Sequence, residues 1–295
     1  MKKRHLLIAL FLAIAAFLAA PLASGSTRAV PRLIFPVVGP VTYTNDFDAP
    51  RGRLPHQGND IMAVKKSPVV AVEDGKVTFW TRSASAGCML YLYGRSGTMY
   101  EYIHLNNDLT MKNDNKGKCV AGTAYAKGLK NGDRVKAGQL IGYVGDSGDA
   151  NGIASHLHFE LHPHGGQAVS PYRHLQRSRI LLFAATRGAT VSLTLQGKLE
   201  QVDSALGTLS MRVTSLTSST GLRLDKLSRM LTLELSPDTV VTDYYGNELS
   251  PDDLSNLSPA TAVKVTTTSA PVTLAAQLGS RLALSTSSVS VADPT

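Results

Sequence analysis

Three short segments of this 295-residue chain carry the residue types that bind metal ions and transfer protons. His56 and Asp60 are separated by three residues, His156 and His158 by one, and His104 ends a Tyr-Glu-Tyr-Ile-His run. Imidazole nitrogen and carboxylate oxygen both ligate zinc, at about 2.0–2.2 Å. Each segment alone is compatible with an ordinary structural role, so the weight of the pattern lies in having all three in one chain.

The segment 156–161, His-Leu-His-Phe-Glu-Leu, is typical of a β-strand with one buried face. Residues two apart on a strand share a face. We therefore expect His156 and His158 to point together, with Leu157, Phe159 and Leu161 in the core. By the same alternation His104 should share a face with Tyr102.

Taken in chain order, the three segments resemble the lysostaphin/LytM family of peptidoglycan endopeptidases. The motifs of this family are His-x-x-x-Asp, a Tyr-x-His-Leu strand and His-Leu-His-Phe-Glu. The resemblance covers about residues 33–175. It implies a zinc metalloendopeptidase with one Zn²⁺ per chain, held by His56, Asp60 and His158, with His104 and His156 as catalytic residues. Three protein ligands leave a fourth position for water or substrate, as catalytic zinc requires. The pattern leaves open which histidine deprotonates the water and which stabilises the oxyanion.

Three further histidines follow this segment. His162 and His164 continue the alternation from His158, but Pro163 between them should end the strand. We therefore predict that His162, His164 and His174 are surface residues.

Short β-like runs cut by turn signals dominate residues 31–176, which predicts a mostly β, antiparallel domain. Asp74-Gly75 predicts a hairpin turn between the runs 68–72 and 76–80. The polar connection 106–136 is longer than a loop that only joins two strands. It contains Cys119, and in an exported chain we expect a disulfide to Cys88.

Residues 190–285 are rich in Ser, Thr, Leu and Val with period-two alternation, which predicts a second, small β-barrel that resembles OB-like accessory domains. Its function is not indicated by any residue pattern. Residues 286–295 are predicted to be a polar tail.

Residues 1–25 have the basic, apolar and small-residue order of a secretory signal peptide. The protein is therefore expected in the periplasm or outside the cell, meeting a membrane only through that peptide. The net charge is +8, with −3 on residues 190–295 and +11 on residues 1–189. This distribution favours anionic wall polymers as additional partners. Nucleic acid is excluded as a partner, because the chain is exported and its aromatic residues are not interleaved with basic ones.

The sequence thus predicts a secreted zinc metalloendopeptidase that cuts cross-links or stem peptides of bacterial peptidoglycan in wall remodelling or lysis. The alternative is an inactive LytM-like protein that binds the wall or activates another hydrolase. All five candidate positions are filled, which favours the enzyme.

Overall fold

The computed structural model describes residues 30–52, 54–280 and 283–292; the predicted signal peptide lies outside them. The described chain is mostly β, as predicted, and forms a sheet domain followed by a barrel. Within the described ranges, no helix has the length and apolar character needed to cross a membrane.

Eleven strands build the first domain: β1 (Val41–Thr42), β2 (Pro50–Arg51), β3 (Leu54–Pro55), β4 (Asn59–Ala63), β5 (Pro68–Val70), β6 (Gly75–Trp80), β7 (Cys88–Gly94), β8 (Met99–Leu105), β9 (Arg134–Val135), β10 (Leu140–Tyr143) and β11 (His156–His162). Short 3-10 turns at Gly148–Ala150 and Pro163–Gly165 and one helix, α1 (Tyr172–Gln176), complete it. Seven strands form one antiparallel sheet in the order β1-β4-β11-β8-β7-β6-β9.

The two faces of this sheet have different roles. Leu157, Phe159 and Leu161 are fully buried on the inner face, as the alternation predicted. His158 lies on the outer face, opposite Asp60 of β4 on one side and Ile103 of β8 on the other. The central strands therefore anchor the core with one set of side chains and present the candidate site with the other.

The predicted hairpin at Asp74-Gly75 is wrong. β5 pairs with β10 in a separate two-stranded sheet, and β6 pairs with β7 and β9. A Cβ on Gly75 would lie 2.5 Å from the backbone oxygen of Tyr93. Glycine is required here by the close approach of β7, not by a turn.

The predicted disulfide between Cys88 and Cys119 is present, with a sequence separation of 31 residues. It fastens the long connection to β7. A second anchor is buried: the ammonium of Lys65 contacts Asp108, at the start of the connection, and lies 3.0 Å from Asp146. The disulfide adjoins the candidate site, because Cys88 pairs with Leu105, the neighbour of His104.

Removing the bridge by Cys88→Ser with Cys119→Ser should lower the free energy of unfolding by about 3–4 kcal/mol, because the bridge restricts a loop of this length in the unfolded chain. Urea unfolding of the variant, compared with the oxidised and reduced wild-type protein, measures the difference. Reduced wild type should match the variant. Equal stability of all three samples would contradict the expectation.

The second domain consists of β12 (Thr190–Val191), β13 (Leu193–Asp203), β14 (Thr208–Ser218), β15 (Arg223–Leu224), β16 (Arg229–Thr242), β17 (Ala262–Thr267), β18 (Ala270–Pro271) and β19 (Ser285–Val291), with helices α2 (Pro251–Ser255) and α3 (Leu274–Gln277). β13 pairs with both β14 and β17, and β19 lies between β16 and β17. Five strands therefore close into a barrel in the order β13-β14-β16-β19-β17.

This topology confirms the predicted OB-like barrel. Of the five strands, only β16 and β19 are parallel neighbours, and α2 lies between the third and fourth barrel strands. The OB-fold is likewise a five-stranded Greek-key barrel. The predicted polar tail from residue 286 is wrong for residues 286–291. They belong to the last barrel strand, where Thr286 and Val289 are fully buried.

The two domains share a small hydrophobic core. Ile34, Val70 and Leu181 cluster with Leu224 of the barrel domain, and further leucines from the barrel side pack against them. The buried amide of Gln277 donates to the backbone oxygen of Gly138 at 2.9 Å. The contact between the domains is thus both apolar and hydrogen-bonded.

Candidate active site

His56, Asp60 and His158 meet on the outer face of the sheet, as predicted. Nε2 of His56 lies 2.9 Å from Nδ1 of His158 and 3.1 Å from Oδ1 of Asp60, and Nδ1 of His158 lies 3.0 Å from the same oxygen. β4 contributes Asp60 and β11 contributes His158, while His56 lies in the turn after β3. Three potential ligand atoms therefore surround one point.

The outer hydrogen bonds of the two rings determine which atoms face that point. Nδ1 of His56 must donate to the backbone oxygen of Asp46, at 2.8 Å, because a carbonyl can only accept. Nε2 of His158 is 2.9 Å from Oε1 of Glu160. The atoms that converge are thus two imidazole lone pairs and a carboxylate oxygen. Such a donor set fits a divalent cation, and zinc with these ligands is the usual case in proteins.

Asp60 uses its two oxygens differently. Oδ1 faces the two histidines, whereas Oδ2 accepts a hydrogen bond of 2.6 Å from Nη2 of Arg51. Burial opposes ionisation of this carboxyl, but hydrogen bonds with His158 and His56 hold its pKa well below the usual range. Arg51 therefore occupies Oδ2 and leaves Oδ1 free for a metal ion, while the two histidines keep the carboxylate ionised.

His104 and His156 lie beside these three residues, with ring centroids 5.1 Å apart. Nδ1 of His104 donates to the backbone oxygen of Ser147 at 2.8 Å, and Nδ1 of His156 to that of Ala154 at 2.9 Å. Both rings consequently direct an Nε2 lone pair away from their anchors; that of His156 is 3.8 Å from Oδ1 of Asp60. Burial lowers the pKa of His104 to about 4, so its ring is neutral near pH 7.

The expectation that His104 shares a face with Tyr102 is wrong. Tyr102 is fully buried in the core, where its hydroxyl accepts from the backbone N–H of Val72. His104 has a φ of +60°, which breaks the alternation at the end of β8. The left-handed backbone turns this ring toward the cleft, and such strained positions are common at functional sites.

His162 is buried, which corrects the prediction that it lies on the surface. Pro163 does end β11, but Nδ1 of His162 donates to Gly166 and its Nε2 lies 2.7 Å from Oε2 of Glu160. This hydrogen bond raises the pKa of His162 despite the burial. Burial and the neighbouring Glu160 raise the pKa of Glu101, 3.5 Å from His162, to about 7. His164 is exposed, as predicted, and His174 is half-buried.

Glu101, Glu160 and His162 form a second cluster of potential metal ligands. A protonated His162 ring satisfies this cluster without an ion, because its two N–H groups reach Gly166 and Glu160. Glu160 in turn holds the ring of His158. We therefore interpret Glu160, held in turn by His162, as the support of a ligand, a role that carboxylates commonly have next to metal-binding histidines.

Replacing Glu160 with Ala should weaken zinc binding about 10- to 100-fold, the usual cost of losing a partner that orients a metal-ligating histidine. Glu160→Gln should lose less, because its amide oxygen can still accept from His158. Competition with a chromophoric chelator measures the affinity. Glu101→Gln is the matched control, since Glu101 does not contact a candidate ligand; a larger effect there than in Glu160→Ala would contradict the assignment.

The candidate residues line an open cleft of about 480 Å³. Its polar lining includes the four histidines, Asp60 and Arg51, and its apolar lining includes Leu54, Ile103 and Ile153. Leu54 and Ile153 are more than half exposed. An open cleft lined by both polar and apolar side chains suits an extended polymer better than a small enclosed ligand.

The sequence did not indicate four of the supporting groups: Arg51, Asp46, Glu160 and the backbone of Ser147. The alternation of β11 could have placed Glu160 on the face of His158. Arg51 and Asp46 precede β4 in a stretch with little regular secondary structure, so no periodic sequence pattern indicated them.

Comparison with known proteins gives a consistent result. The sequence profile of Peptidase family M23 matches residues 54–124 and 109–171. The L-Ala--D-Glu endopeptidase of Bacillus subtilis is 29% identical over 133 residues, which are 42% of this chain and 36% of that protein. The peptidoglycan DD-endopeptidase ShyC of Vibrio cholerae is 28% identical over 148 residues, 50% of this chain and 27% of that protein. The chain thus spans about a third or less of the length of these relatives.

Among solved structures, the catalytic domain of the antimicrobial peptidase lysostaphin from Staphylococcus simulans is 25% identical, with a TM-score of 0.34, covering 48% of this chain and 89% of that one. A zinc-containing peptidase from Vibrio cholerae is 26% identical, with a TM-score of 0.33, covering 47% and 39%. The matched sequence region contains all five candidate residues. Residues 54–171 of the sheet domain therefore match Peptidase family M23, and the match together with these relatives supports a peptidase family of the LytM type.

Proposed function

We propose that this protein is a zinc-dependent endopeptidase that hydrolyses peptide bonds in bacterial peptidoglycan. The observation that carries the proposal is the convergence of the lone pairs of His56 and His158 with Oδ1 of Asp60, all within 3.1 Å. Two further rings with fixed tautomers lie beside them. The relatives named as peptidoglycan endopeptidases support the choice of substrate.

Zinc bound by these three residues would supply a Lewis acid that polarises the scissile carbonyl and lowers the pKa of a water molecule. His104 is the better acceptor for the proton of that water. Its Nδ1–H is occupied by Ser147, and the low pKa of the ring keeps Nε2 unprotonated near neutral pH. The same ring can then deliver the proton to the leaving amine.

His156 takes the complementary role. Its Nδ1 donates to the backbone oxygen of Ala154, and its Nε2 lies 3.8 Å from Oδ1 of Asp60. From this position a protonated ring donates to the carbonyl oxygen as negative charge develops on it.

We further propose that the protein acts outside the cytoplasm, in the periplasm or at the wall. The pattern of residues 1–25 and the Cys88–Cys119 bridge support this location, because disulfides persist in oxidising compartments. The charge of +11 on residues 1–189 would favour contact with anionic wall polymers.

Digestion of purified walls with different cross-links tests the function. The wild-type protein should release peptides whose new ends, read by mass spectrometry, define the bond cut. Chelation should stop the release and added zinc should restore it. His56→Ala is the matched inactive control. Binding to walls without peptide release, at full zinc occupancy, would instead support the non-catalytic wall-binding alternative.

A further inference from the structure

The outer face of the sheet continues past the candidate ligands as a row of aromatic side chains. This aromatic strip consists of Trp80 on β6 and Tyr91 and Tyr93 on β7. The rings of Tyr91 and Tyr93 stack with centroids 6.1 Å apart, and Trp80 meets Tyr91 edge-on at 6.2 Å. Trp80 is 38% and Tyr93 47% exposed. Three adjoining aromatic residues are thus partly exposed to solvent.

The strip shares its face with the candidate site. Across the sheet Glu160 pairs with Glu101, and Glu101 pairs with Tyr91. By alternation, Tyr91 and Tyr93 therefore lie on the same side as His158. Neighbouring strands are about 4.8 Å apart, so β7 lies roughly 10 Å and β6 roughly 14 Å from β11. The strip therefore lies on the same face of the sheet as the cleft, nearer the edge of the sheet.

The chemistry of the strip indicates its ligand. Exposed aromatic groups next to a cleft mark binding surfaces more often than scattered apolar residues do. Tyrosine and tryptophan combine an apolar ring with a polar group at the edge. A sugar ring matches this surface, because its C–H groups can pack on the aromatic faces while its hydroxyl and acetamido groups meet polar edges. Arg82, 5.8 Å from the centroid of Trp80, adds a donor at the far end.

We propose that the aromatic strip is a subsite for the sugar strand of the polymer whose peptides enter the cleft. The inference rests on the proposed function and names the part of the substrate that lies away from the cut bond. An extended peptide covers about 3.3 Å per residue, so four residues cover roughly 13 Å. That length matches the roughly 14 Å between β11 and β6. A sugar on the strip therefore places a bond about four residues along its attached peptide at the candidate ligands.

Trp80 is the single tryptophan of the chain, so intrinsic fluorescence reports directly on the strip. Titration of the full-length protein with a β-1,4-linked tetramer of N-acetylglucosamine should give a saturable change in tryptophan emission. Tyr93→Ala retains the reporter and should weaken the apparent affinity about tenfold. The matched control is Tyr245→Ala, an 85% exposed tyrosine of the barrel domain, which should bind as wild type does.

Hydrolysis supplies the second readout. The loss of kcat/KM in Tyr93→Ala should be about tenfold larger on sugar-bearing cross-linked fragments than on the same peptides without sugar. An equal loss on both substrates would mean that the strip binds peptide, and would overturn the proposal. A flat titration with active hydrolysis also overturns it, while the proposed function survives. Failure of the wild-type protein to hydrolyse either substrate contradicts the proposed function itself.

Discussion

His158→Ala should lose both zinc and peptidoglycan hydrolysis, and this is the largest effect we expect of any single substitution. The ring provides one of three converging ligand atoms and is itself held by Glu160. Zinc affinity should fall by more than the roughly 100-fold that loss of a supporting partner costs. Metal content after dialysis, together with peptide release from purified walls, measures the two losses in parallel.

The same substitution has a defined effect on the fold. Neighbouring Leu157 and Phe159 remain in the core, so the variant should keep the circular dichroism of the wild-type protein. His164→Ala is the matched control, because His164 is exposed and outside the site. Full zinc occupancy in folded His158→Ala would show that the ligand set has been assigned wrongly.

The second large effect should come from His104→Ala and His156→Ala. Each should bind zinc, fold and lose about 10²- to 10⁴-fold in kcat, the range for a positioned acid or base. A group that acts mainly in the transition state lowers kcat and kcat/KM together. Steady-state kinetics on a soluble cross-linked peptide, with metal analysis of the same samples, separates this result from loss of the ligand site.

The low pKa of His104 predicts how the stability of the metal-free protein changes with pH. Its folded pKa of about 4 is below the ordinary 6.5, so the buried neutral ring destabilises the metal-free fold as the pH falls through that interval. With chelator present, His104→Gln should therefore lose less stability between pH 6.5 and 4 than the wild-type protein does. An identical decline in both proteins would contradict burial as the cause. Loss of zinc from His104→Ala, but not from His56→Ala, would reverse the proposed roles.

Spacing and alternation indicated which candidate residues lie together, and the resemblance to the lysostaphin/LytM family assigned their roles. His56 and Asp60 are close in sequence, and the alternation along β11 places His156 and His158 on one face, so little long-range information was needed. The disulfide was predictable because two cysteines allow one pairing. The OB-like barrel was also predictable in kind, since its strands alternate with a period of two.

The features that the sequence did not indicate depend on strand pairing between distant segments and on burial by residues from other parts of the chain. The partner of β5 is β10, about 70 residues later, and a local Asp-Gly signal contains no information on that choice. His162 follows the same alternation as His158, but its burial depends on Glu160 and on the turn at Gly166. β19 was missed because its Ser- and Thr-rich sequence resembles a tail, although Val289 is buried in the barrel.

The core shared by the two domains limits how this protein can be divided or recombined. Ile34, Val70 and Leu181 would become solvent-exposed in a sheet domain separated from its barrel, and Gly138 would lose the amide of Gln277. A hybrid that joins this sheet domain to an unrelated barrel would place mismatched side chains against the same surface. The two domains and their shared core therefore behave as one structural unit. Recombination between related chains should be tolerated only when the residues on both sides of this shared core come from one parent.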